Sequence, residues 1–166
     1  MSVDPQPQGP RKRIAVMQPY FFPYAGYFRL LSEVDEFVIL DCVQFPRRGR
    51  VHRSEWAQAD GEKRWLTLPL VHQPQEVRIC DVRFADDART LFGQRLVSLP
   101  MFRRAAGPAA DRIRQYLDDP LAMPLVDFLE AGLRLVNGLL GIDSVISRSS
   151  TLATPLWTMS REAAAA

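Results

Sequence analysis

An α/β layer fold with a parallel sheet follows from three features of the 166-residue sequence. A short apolar run, a stretch with helical spacing and a second apolar run succeed one another within residues 13–41, which is the order of a βαβ unit. A strongly patterned amphipathic helix follows near the C-terminus, at residues 124–141. The composition, 47% apolar and 24% charged, is that of a chain that buries a core.

The first run, RIAVM (13–17), is apolar and bounded by turn residues, so it predicts a buried strand. Tyr27, Leu30, Leu31 and Val34 then recur at helical spacing, and EFVILD (36–41) predicts the second strand. The crossover between two such strands is right-handed. WLTLPL (65–70) and VRICDVRF (77–84) alternate and end in turn residues, which predicts two further strands. Leu91, Arg95 and Leu96 set a helix over 86–99, and a second is expected over 101–117, interrupted near Gly107-Pro108. In PLVDFLEAGLRLVNGLLG, Pro124 suits the first turn, Leu125, Phe128, Leu129, Leu133, Val136 and Leu140 share a face, and Gly141 closes the helix. SVIS (144–147) predicts the last strand. Residues 1–11, with three prolines, read as a disordered leader, 12–152 as a single domain, and 153–166 as an irregular or truncated tail.

Composition narrows the function. The apolar stretches fall short of the roughly 20 residues that span a bilayer, and no apolar signal core follows the basic residues near the N-terminus, so a cytoplasmic protein is expected. Cys42 and Cys80 are then expected as free thiols. Two histidines give no metal-ligand spacing. The net charge of +2 does not point to nucleic acid. The charge is nonetheless clustered, because Arg47, Arg48, Arg50 and Arg53 fall within seven residues.

The segment MQPYFFPYAGYFRLL (17–31) carries six aromatic rings, two prolines and a glycine between the first strand and the first helix. A strand that feeds a helix through a glycine-bearing turn offers backbone N–H groups and a positive dipole end to an anion. Gln18, Tyr20, Tyr24, Gly26 and Tyr27 are therefore candidate ligand-binding residues, although Tyr20, Phe21, Phe22 and Phe28 equally suit a core or a lid. In a parallel sheet both strands deliver their following loops to one edge, so Asp41, Gln44, Arg48, His52 and Arg53 are expected to converge there. Arginine suits bidentate binding of phosphate or carboxylate. Asp41 and His52 are the candidate proton acceptors. Cys42 reads either as a nucleophile or as a small buried residue at a strand end. The cluster SRSS (147–150) reads either as a phosphate site or as a helix cap.

The blocks IAVMQPYFFPYAGYFRLLSEVDEFVILDCVQFPRRGRVHRSEW, RWLTLPL and LLGIDSVISRSSTL resemble the WbqC-like protein family. The resemblance runs from about Arg13 to Leu152 and is strongest up to Leu70. It departs from the family pattern at Cys42, where a second acidic residue is usual, at His52 and Ser54, where asparagines are common, and beyond Ser150, where the family continues for longer. PYAGYF also resembles the HxGH element of nucleotidylyltransferases and pantothenate-synthetase-like ligases, with Tyr24 and Tyr27 in the histidine positions. A tyrosine, with its pKa near 10, is a poor proton shuttle at neutral pH.

What these resemblances imply is a Rossmann-like, nucleotidyltransferase/HUP-like parallel sheet flanked by helices, shortened at its C-terminus. They also imply a setting in bacterial surface-polysaccharide biosynthesis. The expected activity is acyl or aminoacyl transfer, or amide formation, at an amino group of a sugar-nucleotide-type molecule. Its ligand is then an anionic small molecule, a nucleotide or nucleotide-activated substrate, and neither nucleic acid nor a membrane. Self-association is left open. The alternative is a non-enzymatic scaffold of a glycan-assembly complex, which needs the aromatic stretch to form an exposed apolar patch.

Overall fold

The computed structural model describes residues 11–57, 61–97, 99, 104–118 and 123–152. Strand β1 (Ile14–Met17), helix α1 (Ala25–Ser32) and strand β2 (Glu36–Ile39) form the expected crossover, with β1 and β2 parallel and Ile14 opposite Glu36. Strands β3 (Arg53–Ala57) and β4 (Lys63–Thr67) form an antiparallel hairpin. Helices α2 (Ala88–Val97), α3 (Pro108–Asp118) and α4 (Leu125–Leu140) follow, and strand β5 (Val145–Arg148) pairs with β2 in parallel. The sheet order is β1-β2-β5, so β2 is central and the fold is mixed α/β with a three-stranded parallel sheet.

Alternation along the strands sorts the sheet into two faces. Ala15, Phe37, Ile39 and Ile146 point to the face covered by α1 and α4, where they pack with Tyr27, Leu31, Val126 and Leu133. On the other face Ile14 and Val145 are 55% and 57% exposed. A second core gathers Phe21, Val51, Leu66, Leu68, Ile79, Phe92 and Phe128 under the hairpin. Helix α4 serves both cores, giving Val126 and Leu133 to the first and Leu125, Phe128 and Leu129 to the second. Gly141 closes it in the left-handed region at φ 68°, as a C-terminal glycine does.

Several expected elements are corrected. VRICDVRF is not a strand, because Ile79–Asp81 is a single turn of 3-10 helix. Its alternation serves isolated bridges instead, Gln44 with Arg78 and Leu70 with Phe84, which bury Ile79, Val82 and Phe84 from an irregular path. WLTLPL forms a strand only to Thr67, since β4 ends where the register with Arg53 ends. β2 stops at Ile39, short of Asp41. The helix expected over 101–117 is interrupted where expected, since Arg104 is helical, 105–107 are not, and α3 starts at Pro108; residues 101–103 lie outside the described residues. The tail 153–166 and nearly all of the leader also lie outside them.

Tyr116 on α3 stacks on Phe128 at 4.6 Å, and its hydroxyl donates to the Phe128 carbonyl at 2.9 Å. Gly132 leaves room for that ring, for a Cβ there would lie 2.5 Å from the Tyr116 oxygen. Gly132→Ala is expected to lower stability by about 1–3 kcal/mol through overpacking. Urea unfolding measures the loss, and combining it with Tyr116→Phe should recover part of it.

Candidate functional site

The loop after β1 and the loop after β2 meet. The Phe21 N–H donates to the Arg50 carbonyl at 3.0 Å, and the Ser54 hydroxyl donates to the Phe22 carbonyl at 3.1 Å. Between these bonds Phe22 sits at φ 46°, a left-handed conformation that costs a residue with a side chain about 1–2 kcal/mol. Its ring is held edge-on by Phe21, Trp56 and Tyr116 at 5.0, 5.4 and 6.1 Å. The strain is thus offset by packing on three sides.

Outside this junction lies an open cleft of about 610 Å³. It is lined by Phe22, Pro23 and Tyr24 from the segment after β1, and by Arg50, Ser54, Glu55, Trp56, Ala57 and Lys63 from the segment before β3 and the hairpin. Tyr24 is the N-cap of α1 and is 62% exposed. Its ring lies against Gly26, where a Cβ would come within 2.6 Å of the Tyr24 Cε2. Glycine at that position lets the ring lie flat. Within the lining, Arg50 pairs with Glu55 at 3.4 Å. A second cavity, between the aromatic segment and α4, holds about 10 Å³, room for one water at most. The cleft, the roomier of the two, is the candidate site.

Of the residues expected from sequence, Tyr24 lines the cleft, and Gly26 supports it from beneath. Gln18 gives its carbonyl to the Tyr27 hydroxyl at 2.9 Å. Tyr27 itself is buried, packs on Tyr20 at 5.5 Å, and has its phenol pKa pushed up by burial. Gln44 donates through Nε2 to the Gln75 carbonyl at 2.7 Å, which ties down the loop after β2. Arg53 is folded inward, giving Nε to the Gly49 carbonyl at 3.3 Å and a second N–H to the Arg48 carbonyl, with its guanidinium 4.3 Å over Trp65. Arg48 is exposed, outside the cleft lining.

Asp41 is fully buried. It accepts hydrogen bonds from the Ser149 hydroxyl at 2.9 Å, the Ser150 hydroxyl at 2.6 Å and the Ser150 N–H at 2.8 Å. The Ser149 oxygen in turn accepts from the Asp41 N–H at 3.0 Å and lies 3.2 Å from the Cys42 Sγ. The SRSS cluster thus latches the end of β5 onto the end of β2. Its arginine, Arg148, pairs with Asp127 at 2.5 Å and with Glu130, fastening β5 to α4. His52 is half-buried, 5.1 Å from the Phe45 ring, and its Nδ1 has no hydrogen-bond partner among the described residues. Burial, with Arg53 beside it, pushes its pKa from 6.5 down to about 4.

The residues that sequence reasoning missed are Ser54 and Trp56, while Arg50 and Lys63 stand in the sequence only as part of a basic patch and Glu55 only as an acid offsetting it. A signal was present, since DG at 60–61 between RSEWA and KRWLT is a hairpin turn pair. Gly61 takes φ 83° there.

The model described as the WbqC-like protein family matches residues 18–163. A Mycobacterium tuberculosis (strain ATCC 25618 / H37Rv) protein described as uncharacterized, Rv1507c, is 36% identical over 59 residues. That match covers 36% of this chain and 25% of the relative, so the chain spans about a quarter of that protein's length. No solved structure matches.

Two outcomes test these assignments. Asp41→Ala orphans two serine hydroxyls and an N–H, and is expected to cost about 3 kcal/mol in urea unfolding, with Asp41→Asn costing less. The lowered His52 pKa means that the unfolded chain takes up the proton first, so stability is lost as pH falls from 6.5 towards 4. Denaturation midpoints measured across that range should fall for the wild type and fall less for His52→Phe.

Proposed function

The chain belongs to the WbqC-like protein family, and from that premise we propose that its cleft binds a ring-bearing anionic small molecule of the nucleotide-activated sugar class. The chemistry is acyl or aminoacyl transfer to an amino group on that molecule. One observation carries the reading: an exposed tyrosine and two cations, Arg50 and Lys63, line one open cleft of about 610 Å³, a volume typical of small-molecule sites. Tyr24 and Pro23 offer a surface for a ring, and the two cations offer partners for a diphosphate.

In the transfer, the amine nitrogen bonds to the acyl carbon and gives up a proton, while the donor's leaving group departs with its bonding electron pair. Asp41 and His52, the acceptors offered by the sequence, do not line the cleft, whereas the carboxylate of Glu55 does. The β1-α1-β2 crossover and the tyrosine-glycine turn at its edge support the Rossmann-like, nucleotidyltransferase/HUP-like reading of the sheet. Surface-polysaccharide biosynthesis, the setting that the family resemblance implies, offers amino sugars on nucleotide carriers. The scaffold reading is less well supported, because Phe21, Tyr27 and Phe28 are buried and do not form an apolar patch.

Isothermal titration of the full chain with nucleoside-diphosphate sugars carrying uridine, thymidine or guanosine is expected to give saturable heat with at least one. Lys63→Ala should weaken that binding about tenfold, the worth of one charge-assisted hydrogen bond, and Tyr24→Ala should weaken it through lost stacking. Absence of heat with all three carriers overturns the proposal.

A further inference from the structure

The cleft is not simply cationic. Glu55 lies in it beside Arg50 and Lys63. The hairpin register places Glu55 opposite Trp65 and Ala57 opposite Lys63, so Glu55 and Lys63 stand on one face of the hairpin as diagonal neighbours, within reach of a long side chain. The Arg50 and Glu55 side chains are 45% and 36% exposed and separated by 3.4 Å. A solvated pair at that distance holds its members weakly. A ligand can therefore replace either partner.

The arrangement constrains what replaces them. A ligand carrying only negative charge takes Arg50 from Glu55 and leaves its own anion facing a carboxylate. A ligand carrying an anionic group and an ammonium group serves both, the anion at Arg50 and Lys63 and the ammonium at Glu55. With two cations against one carboxylate, the lining still favours a ligand of net negative charge. From this we infer that Glu55 makes the cleft selective for the free-amine form of an anionic ring-bearing ligand over its N-acylated form. Glu55 accepts N–H bonds from the ammonium, and an acetamide in the same place offers one neutral donor and no charge. The inference rests on the small-molecule reading above and names the group that the site recognises.

The test compares uridine diphosphate glucosamine with uridine diphosphate N-acetylglucosamine, which differ only at that nitrogen, by titration with the full chain at neutral pH. The wild type is expected to prefer the free amine by about tenfold or more, the worth of one hydrogen bond to a charged group. Glu55→Gln should bring the two affinities to within about threefold by weakening the amine alone. Arg50→Gln, which removes Glu55's partner and keeps its carboxylate, should weaken both ligands and preserve the preference. Equal affinities in the wild type, or a preference that survives Glu55→Gln in protein of unchanged circular dichroism, overturn the inference and leave the small-molecule reading standing. Absence of binding by both ligands and by the other carriers overturns both.

Discussion

Two hydrogen bonds decide the shape of the candidate site, those from the Phe21 N–H to the Arg50 carbonyl and from the Ser54 hydroxyl to the Phe22 carbonyl. The first joins the segments that follow β1 and β2, and the second ties the segment after β1 to strand β3 across 32 positions of sequence. Everything around them is arranged to keep that junction rigid. Phe21 is driven into the core beneath the hairpin, Phe22 is forced into the left-handed region, and Pro23 follows directly. From that backbone, the Tyr24 ring lies over Gly26 at the start of α1. The rings in this segment divide by role, some filling a core so that one can stand at the surface.

The same economy governs the arginines. A run of guanidinium groups reads in sequence as a basic surface, yet much of it is turned back onto the chain's own carbonyls. Arg47 reaches the Gln73 carbonyl at 2.6 Å, and Arg53 those of Gly49 and Arg48. These bonds satisfy acceptors in irregular backbone that no ladder pairs. Free positive charge is correspondingly scarcer than the composition suggests, and its location depends on which guanidinium the loop spares.

That explains what could be read in the sequence. β1, α1, β2 and α4 were legible because each has one dominant periodicity and clear ends, Gly141 being the plainest. β3 was not, since RSEWA has a buried serine and an exposed glutamate where an apolar alternation would be sought. The meeting of the ring-rich and arginine-rich loops was also legible from parallel topology. Which side chains it presents was not, because Glu55 and Lys63 share a face only through a hairpin register that composition does not encode. The burial of Asp41 was hidden for a related reason: an acid at a strand end suits chemistry, but the serines bonded to it lie 108 and 109 positions away.

Trp65 occupies an unusual position among these charges. Arg53 sits 4.3 Å over its ring and Arg50 at 5.2 Å, and Arg50 also borders the cleft. The indole is 42% exposed and feels both cations through its π face. A guanidinium that swings towards an incoming anion thereby changes the field on a chromophore just outside the binding surface. Were the proposed anion to draw Arg50 away, the emission of Trp65 would change from outside the cleft, alongside that of Trp56 within its lining.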